Sequence, residues 1–344
     1  MPEAPNHSPE RLEILLEAEP KPEKVERLAG DASTRVYYRL RYKEGRSAVV
    51  MILPTPGGNE EASFLDIQRF LTERDLPVPS VQAHFPEQGL VVLEDLGDKL
   101  LESVLEGAGT DAVRALYTEA VDILLLMRRK TAGLLAGCGA FDLAFDREKL
   151  MWEMHFFVSH FIEGLRQIRP KAETSAALER FFMRITGILA DEPRIFTHRD
   201  YHARNLILHN GRLVMIDFQD ARMGPAQYDL ASLLRDSYVT IPDDLVEDLL
   251  DYYQDQLPAG DRGDRDRFRY VFDIMSLQRN IKALGTFGFQ GKVRKSTRYF
   301  SAIPRTGSYI AANIGKYPDL AEFRSVVEDL IIGPALAGMG QDNK

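Results

Sequence analysis

One stretch constrains this chain more than any other. Phe196-Thr197-His198-Arg199-Asp200-Tyr201-His202-Ala203-Arg204-Asn205-Leu206-Ile207-Leu208 is followed by Leu213-Val214-Met215-Ile216-Asp217-Phe218-Gln219-Asp220. Apolar runs flank a polar loop, so Ile195 to Phe218 reads as a strand–loop–strand island. Helical patterns surround it. Val113, Leu116, Tyr117, Ala120, Ile123, Leu124 and Met127 repeat at three and four residues, after a cap at Thr110 or Asp111. Met154, Phe157, Val158, Phe161, Ile162 and Leu165 do the same, as do Leu178, Phe181, Phe182, Ile185, Ile188 and Leu189. Leu245–Gln256, Phe268–Leu284 and a C-terminal pair complete the helical set.

Before residue 97 the pattern is different. Val36–Tyr42 and Ser47–Leu53 are rich in β-branched and aromatic residues around a Lys43–Arg46 turn, which predicts an antiparallel hairpin. Glu60–Glu73 has helical spacing, and strands are expected at Val81–Phe85 and Leu90–Glu94. The chain therefore reads as a small β-rich lobe before a larger helical one.

The island's chemistry follows from its residue types. An H-R-D-x-x-x-x-N segment precedes an apolar strand that ends in Asp-Phe. Phosphoryl transfer from MgATP needs one carboxylate on the acceptor hydroxyl, and an amide oxygen plus a second carboxylate on Mg²⁺. Asp200 fits the first role; Asn205 and Asp217 fit the second. Any one of these residues alone is equally a turn residue or a cap, and it is the joint pattern that carries weight. His198 and His202, four apart, resemble a metal pair, yet no third ligand stands close and the segment is a loop rather than a helix.

With these residues in view, the sequence resembles the aminoglycoside phosphotransferase/choline kinase-like superfamily across most of its length. Within it, the chain is most similar to bacterial anomeric kinases of N-acetylmuramate and N-acetylglucosamine. The narrower likeness rests on Leu28–Arg35, Leu93–Asp98, Thr197–Asn205, Asp217–Ala221 with Gly224-Pro225, Tyr228–Leu230, Leu233–Asp236 and Gln278–Gly285. The resemblance implies an α+β, bilobal protein-kinase-like fold. It divides the chain into a polar leader over 1–22, an N-lobe over 23–96 for the nucleotide phosphates and hinge, and a helical C-lobe over 97–344.

It also implies site roles. Gly30, Ser33 and Thr34 would cover the ATP phosphates, although read alone they are a turn before a strand. Glu94 to Leu96 would be the hinge, with Glu94 and Leu96 meeting adenine through their backbone. Asp229 would be the structural aspartate beneath the catalytic loop, with His198 as a second support. His202, Arg204, Gln278 and Arg279 are expected at the acceptor. Arginine and amide groups suit sugar hydroxyls, an N-acetyl carbonyl or a lactyl carboxylate, whereas a polycationic aminoglycoside favours carboxylates. Arg279 equally reads as a surface salt bridge.

Two departures stand out. Met51 occupies the strand position where superfamily members carry a phosphate-gripping lysine, so Arg35, Arg39 or the metal must meet that charge and Glu60 or Glu61 loses its partner. The metal motif is Asp-Phe-Gln instead of Asp-Phe-Gly. The expected activity is an ATP- and Mg²⁺-dependent sugar kinase acting on an anomeric hydroxyl in cell-wall recycling. The alternatives are a kinase of choline, homoserine, methylthioribose or an aminoglycoside, or a silent nucleotide-binding regulator.

Composition narrows partners and place. With 43 Lys+Arg against 52 Asp+Glu, the net charge of −9 disfavours nucleic acid and anionic membrane surfaces. The single cysteine, Cys138, excludes an internal disulfide, and residues 1–22 lack a signal peptide's basic and apolar regions. A cytoplasmic protein acting on a small molecule is expected.

Overall fold

Alternating residues in the first hundred positions build one sheet. In the computed structural model, which describes residues 8–17, 20–28 and 35–333, β1 (Lys24–Arg27), β2 (Val36–Arg41), β3 (Ser47–Ile52), β4 (Val81–Phe85) and β5 (Leu90–Glu94) are antiparallel in the order β1-β2-β3-β5-β4. The expected strands at 81–85 and 90–94 are present, and the hairpin strands each end one residue early. Across the ladder Tyr37 pairs with Met51 and Arg39 with Val49, while Met51 and Val49 pair in turn with Val91 and Leu93.

The strand period of two sorts these residues onto two faces. Leu40, Ala48, Val50, Ile52, Leu90 and Val92 form a core with Leu12 and Leu15 of α1 (Ser8–Glu17). The sequence places no element before residue 22. The helix forms there because Leu12, Leu15 and Leu16 make one apolar stripe among glutamates, too short to stand out from the acidic surroundings. The opposite face carries Tyr37, Arg39, Val49, Met51, Val91 and His84. The helix α2 (Asn59–Thr72) lies on that side, where its Glu61 pairs with His84. The hairpin of β7 (Leu206–His209) and β8 (Arg212–Met215) belongs to the same compact unit, residues 1–100 with 206–220. The Leu208 N–H donates to the Lys99 carbonyl at 2.8 Å, and the Met215 N–H to that of Pro77 at 2.8 Å.

The second unit comprises residues 101–205 and 221–344. Its helices are α3 (Leu101–Leu105), α4 (Thr110–Thr131), α5 (Arg147–Phe157), α6 (Ala172–Ala190), α7 (Gln227–Leu234), α8 (Asp243–Gln256), α9 (Arg265–Lys292) and α10 (Ile303–Lys316). Gly109, rather than Thr110 or Asp111, takes the cap position of α4. Asp146 caps α5 by accepting from the Lys149 N–H, and α5 continues as a wider π-helical segment, Val158–Leu165. The island is not one strand pair. β6 (Arg194–Thr197) pairs with β9 (Arg222–Pro225), so its partner lies beyond the expected segment, and β7 pairs with β8, with a further bridge from Ile207 to Leu100. Among the described residues, no helix is long and apolar enough to cross a membrane.

α9 is the axis of this unit. It runs eight residues past its expected end and is buried through most of its middle, including Gln278 and Asn280, so the expected polar side at those residues is inside the protein. Two glycines let it approach α5 and the π-helical segment. A Cβ on Gly285 would lie 2.8 Å from the Phe157 Cα, and one on Gly288 would collide with the His160 carbonyl. Backbone cannot give way as a flexible side chain does, so the added methyl forces the helices apart. Gly288→Ala is expected to cost about 1–3 kcal/mol, read in a thermal melt as a Tm lower by about 3–10 °C.

Candidate active site

In the second unit, two buried carboxylates hold the loop between β6 and β7. Asp229, near the start of α7, accepts from the main-chain N–H of His198 at 2.7 Å and of Arg199 at 3.0 Å. Asp236 accepts from the Ala203 N–H at 2.9 Å and the Tyr238 N–H at 2.8 Å. Tyr201 is fully buried and anchors the middle of the loop through its hydroxyl, which donates to the Ala120 carbonyl at 2.8 Å. Arg199 sits in the left-handed region, with φ 82°, a conformation a non-glycine residue holds only when its surroundings fix it. Buried His198 meets Tyr201 edge-on. Asp229 thus holds the backbone at His198 and Arg199, while the His198 ring packs against Tyr201.

The loop presents Asp200 to a ring of cations. Lys282 Nζ donates to Asp200 Oδ1 at 3.1 Å, Arg279 lies 3.9 Å from the same oxygen, and the Arg199 Nε is 3.9 Å from Oδ2. Burial pushes the Asp200 carboxyl up, but Lys282, Arg199 and Arg279 outweigh it and hold it well below the usual carboxylate range. Burial pulls Lys282 down, and it pulls His202 down to about 3, so His202 is neutral near pH 7. Asp200, His202, Arg279 and Lys282 line one cavity together with Arg235 and Asp236. Asn205 turns its amide nitrogen onto the Asp200 carbonyl at 2.9 Å, which directs its amide oxygen the other way.

Two expected acceptor residues are placed elsewhere. Arg204 makes a bidentate pair with Glu102, at 2.8 and 2.9 Å, and stacks on Tyr238. Gln278 is fully buried and donates to Glu153 at 2.8 Å. Neither lines the cavity that holds Asp200. Arg279 does line it, with its guanidinium donating to the Arg199 carbonyl at 2.6 Å and lying over the Tyr228 ring. Sequence reasoning gave no role to Lys282 or Asp236. Lys282 was visible only as a cation one helical turn past Gln278 and Arg279, and Asp236 as a polar break after the apolar run of α7.

In the first unit, Asp217 also has a left-handed backbone, φ 64°. Gln219 Nε2 donates to Asp217 Oδ1 at 2.8 Å, so the glutamine that replaces glycine orients the carboxylate. The Gln219 carbonyl in turn accepts from Ser63 on α2 at 2.8 Å, and Phe218 stacks on Phe64 of the same helix. Met51 is fully buried. Neither α2 glutamate is without a partner: Glu61 pairs with His84 and accepts from the Gly57 N–H, and Glu60 lies 3.8 Å from Arg35. At the expected hinge, Glu94 accepts from the Ser80 hydroxyl and N–H, while the Leu96 carbonyl accepts from His209 Nδ1 at 3.1 Å. Gly30, Ser33 and Thr34 lie outside the described residues. The Asp217 carboxylate and the Asn205 amide oxygen are hard donors of the kind Mg²⁺ takes beside phosphate oxygens.

Burial pushes Asp229 up to about 7 and Asp236 up to about 6, against the main-chain N–H groups that favour their ionised forms. The folded chain therefore holds protons on these carboxyls above about pH 4, where the unfolded chain has released them. Since the unfolded state binds fewer protons, their contribution to stability falls as pH rises from about 4 and levels off above about 7. Asp236→Asn removes one of the two titrations. Urea unfolding of that variant is expected to show a shallower loss of stability between about pH 4 and 6 than wild type.

Comparison with known proteins gives the family and the fold. Residues 24–269 match the phosphotransferase enzyme family. The N-acetylmuramate/N-acetylglucosamine kinase of Pseudomonas putida is 30% identical over 312 residues, covering 89% of this chain and 88% of that protein. The kinase of the same name from Caulobacter vibrioides is 32% identical over 334 residues, covering 87% and 90%. Among solved structures, the gentamicin complex of APH(2″)-IIa superposes with a TM-score of 0.63 at 16% identity, covering 90% of this chain and 97% of that one, which speaks to the fold alone. The β-rich unit, the helical unit and the loop held by Asp229 are accordingly those of a protein-kinase-like fold, and the chain belongs to the phosphotransferase enzyme family.

Proposed function

We propose that this chain is an ATP- and Mg²⁺-dependent sugar kinase that phosphorylates the anomeric hydroxyl of N-acetylmuramate or N-acetylglucosamine in the cytoplasm. The names of the relatives support the substrate class. The observation that carries the reading is the charge around Asp200. Arg235, Arg279 and Lys282 line the same cavity as Asp200 and Asp236, and Arg235 also pairs with Asp243 at 2.7 Å. Such a cavity repels a polycationic aminoglycoside and suits a neutral or anionic sugar.

Asp200 orients the acceptor hydroxyl through Oδ2 while Lys282 engages Oδ1. The hydroxyl oxygen bonds to the γ-phosphorus as the bond to the β-phosphate oxygen breaks, ADP departs, and the hydroxyl proton passes to Asp200. A carboxylate held this acidic is a weak base, and an anomeric hydroxyl, more acidic than an ordinary alcohol, asks little of it. The Asn205 oxygen and the Asp217 carboxylate are proposed to hold Mg²⁺, as the motif spacing implies; bound there, the metal neutralises phosphate charge. His202, neutral in the cavity wall, and Arg279 contact the sugar. Gly30, Ser33 and Thr34 cover the phosphates, and the backbone of Glu94 and Leu96 meets adenine. We assign residues 23–96 to nucleotide binding and 97–344 to the acceptor side, with no nucleic-acid or membrane partner.

Phosphorus NMR of the protein with MgATP and a panel of amino sugars, hexoses and amino alcohols tests the substrate. A phosphoester coupled to an anomeric proton is expected with the N-acetyl amino sugars. A product only from choline or an aminoglycoside overturns the sugar assignment. For the mechanism, Asp200→Asn is expected to lower kcat by about 10²–10⁴-fold, with MgATP affinity by calorimetry nearly unchanged.

A further inference from the structure

β2 carries two arginines four residues apart, Arg35 just before the strand and Arg39 within it, and strand alternation sets both on the face that bears Met51. Their surroundings differ. Arg39 is buried in a dense ion cluster: it donates to both Asp98 oxygens at 2.7 and 2.8 Å, and its Nε lies 2.8 Å from Asp95. These bonds fasten β2 to the segment after β5. Arg35 is equally buried and lies between two carboxylates, with its Nε 3.8 Å from Glu60 on α2 and its NH1 4.0 Å from Asp217. Tyr37, next along the same face, is pushed up by burial, with Arg35 acting in the opposite direction.

We infer that Arg35 supplies the phosphate-gripping cation that the third strand lacks, with Glu60 as its helix partner; this rests on the kinase reading above. The geometry gives the reason. Tyr37 is paired with Met51, so Arg35 lies one strand across and two residues along from the position of the missing lysine, about 5 Å and about 7 Å away. An arginine side chain covers most of that offset. Its planar guanidinium also presents several donors to phosphate oxygens where an ammonium presents a point charge. One of the two α2 glutamates, Glu60, faces Arg35, and the carboxylate proposed for Mg²⁺ lies on the guanidinium's other side. Arg39 cannot serve, because Asp95 and Asp98 already claim its donors on several sides. The buried Met51 then completes the apolar face that Val49, Val91 and Leu93 provide.

Calorimetric binding of adenosine and of ADP to the full chain separates this role from a structural one. Arg35→Met and Arg35→Gln are each expected to weaken ADP binding roughly 10- to 100-fold while leaving adenosine within about twofold of wild type. ADP binding unchanged in a variant that still binds adenosine overturns the assignment, and so does loss of adenosine and ADP in parallel in both variants. Failure of the wild-type chain to bind ADP at all overturns the kinase reading, and this inference with it. Normal nucleotide binding and turnover in the wild type, with Arg35 variants equal to it, removes this inference alone.

Discussion

The helical unit depends on an anion placed where anions are costly. Asp229 is buried near the start of α7, and its two oxygens take the main-chain N–H groups of His198 and Arg199. Those donors open the loop, and without an acceptor each would be a buried unsatisfied group. Asp236 repeats the device at Ala203. Between the two clamps the chain adopts the left-handed turn at Arg199 that a non-glycine residue avoids, and the turn aims Asp200 at Lys282 and Arg279. Loop shape is thus fixed through main-chain groups together with the Tyr201 and Asn205 side chains, and Asp200 and His202 face the cavity. The raised proton affinities of Asp229 and Asp236 are the energetic trace of that arrangement.

Much of this was legible before any coordinates. Strands 81–85 and 90–94 and the hairpin around residues 43–46 follow from local alternation, and local alternation is what the structure keeps. The motif's Asp200 and Asp229 both fall in the helical unit, Asp200 on the loop and Asp229 bonded to that loop's backbone. What the sequence could not show is pairing at a distance. β6 finds its partner at Arg222–Pro225, past the apparent end of the island, and nothing in the intervening residues announces this. Gln278 illustrates a second limit. A polar triplet on an apolar helix suggests a wet face, but α9 is enclosed on most sides, so Gln278 must satisfy itself inside and does so on Glu153. Arg204 shows a third: a residue four past Asp200 is claimed by Glu102 and Tyr238, neither of which is near it in sequence.

The charges of the two units follow one logic. Around Asp200, the cations Lys282, Arg199 and Arg279 hold an ionised carboxylate in a buried position, and two of them, Lys282 and Arg279, also line the cavity. Around Asp217 the balance is reversed, with two carboxylates facing one guanidinium and an orienting amide from Gln219. An excess of carboxylate there calls for further positive charge, which is what a divalent ion provides. With methionine at position 51, the cation of this unit near Asp217 is Arg35 on the neighbouring strand, and the Met51 position is apolar and buried. The substitution of glycine by glutamine after Phe218 fits the same pattern, because a side-chain amide now fixes the carboxylate of Asp217 in a backbone conformation that carbon-branched residues rarely hold.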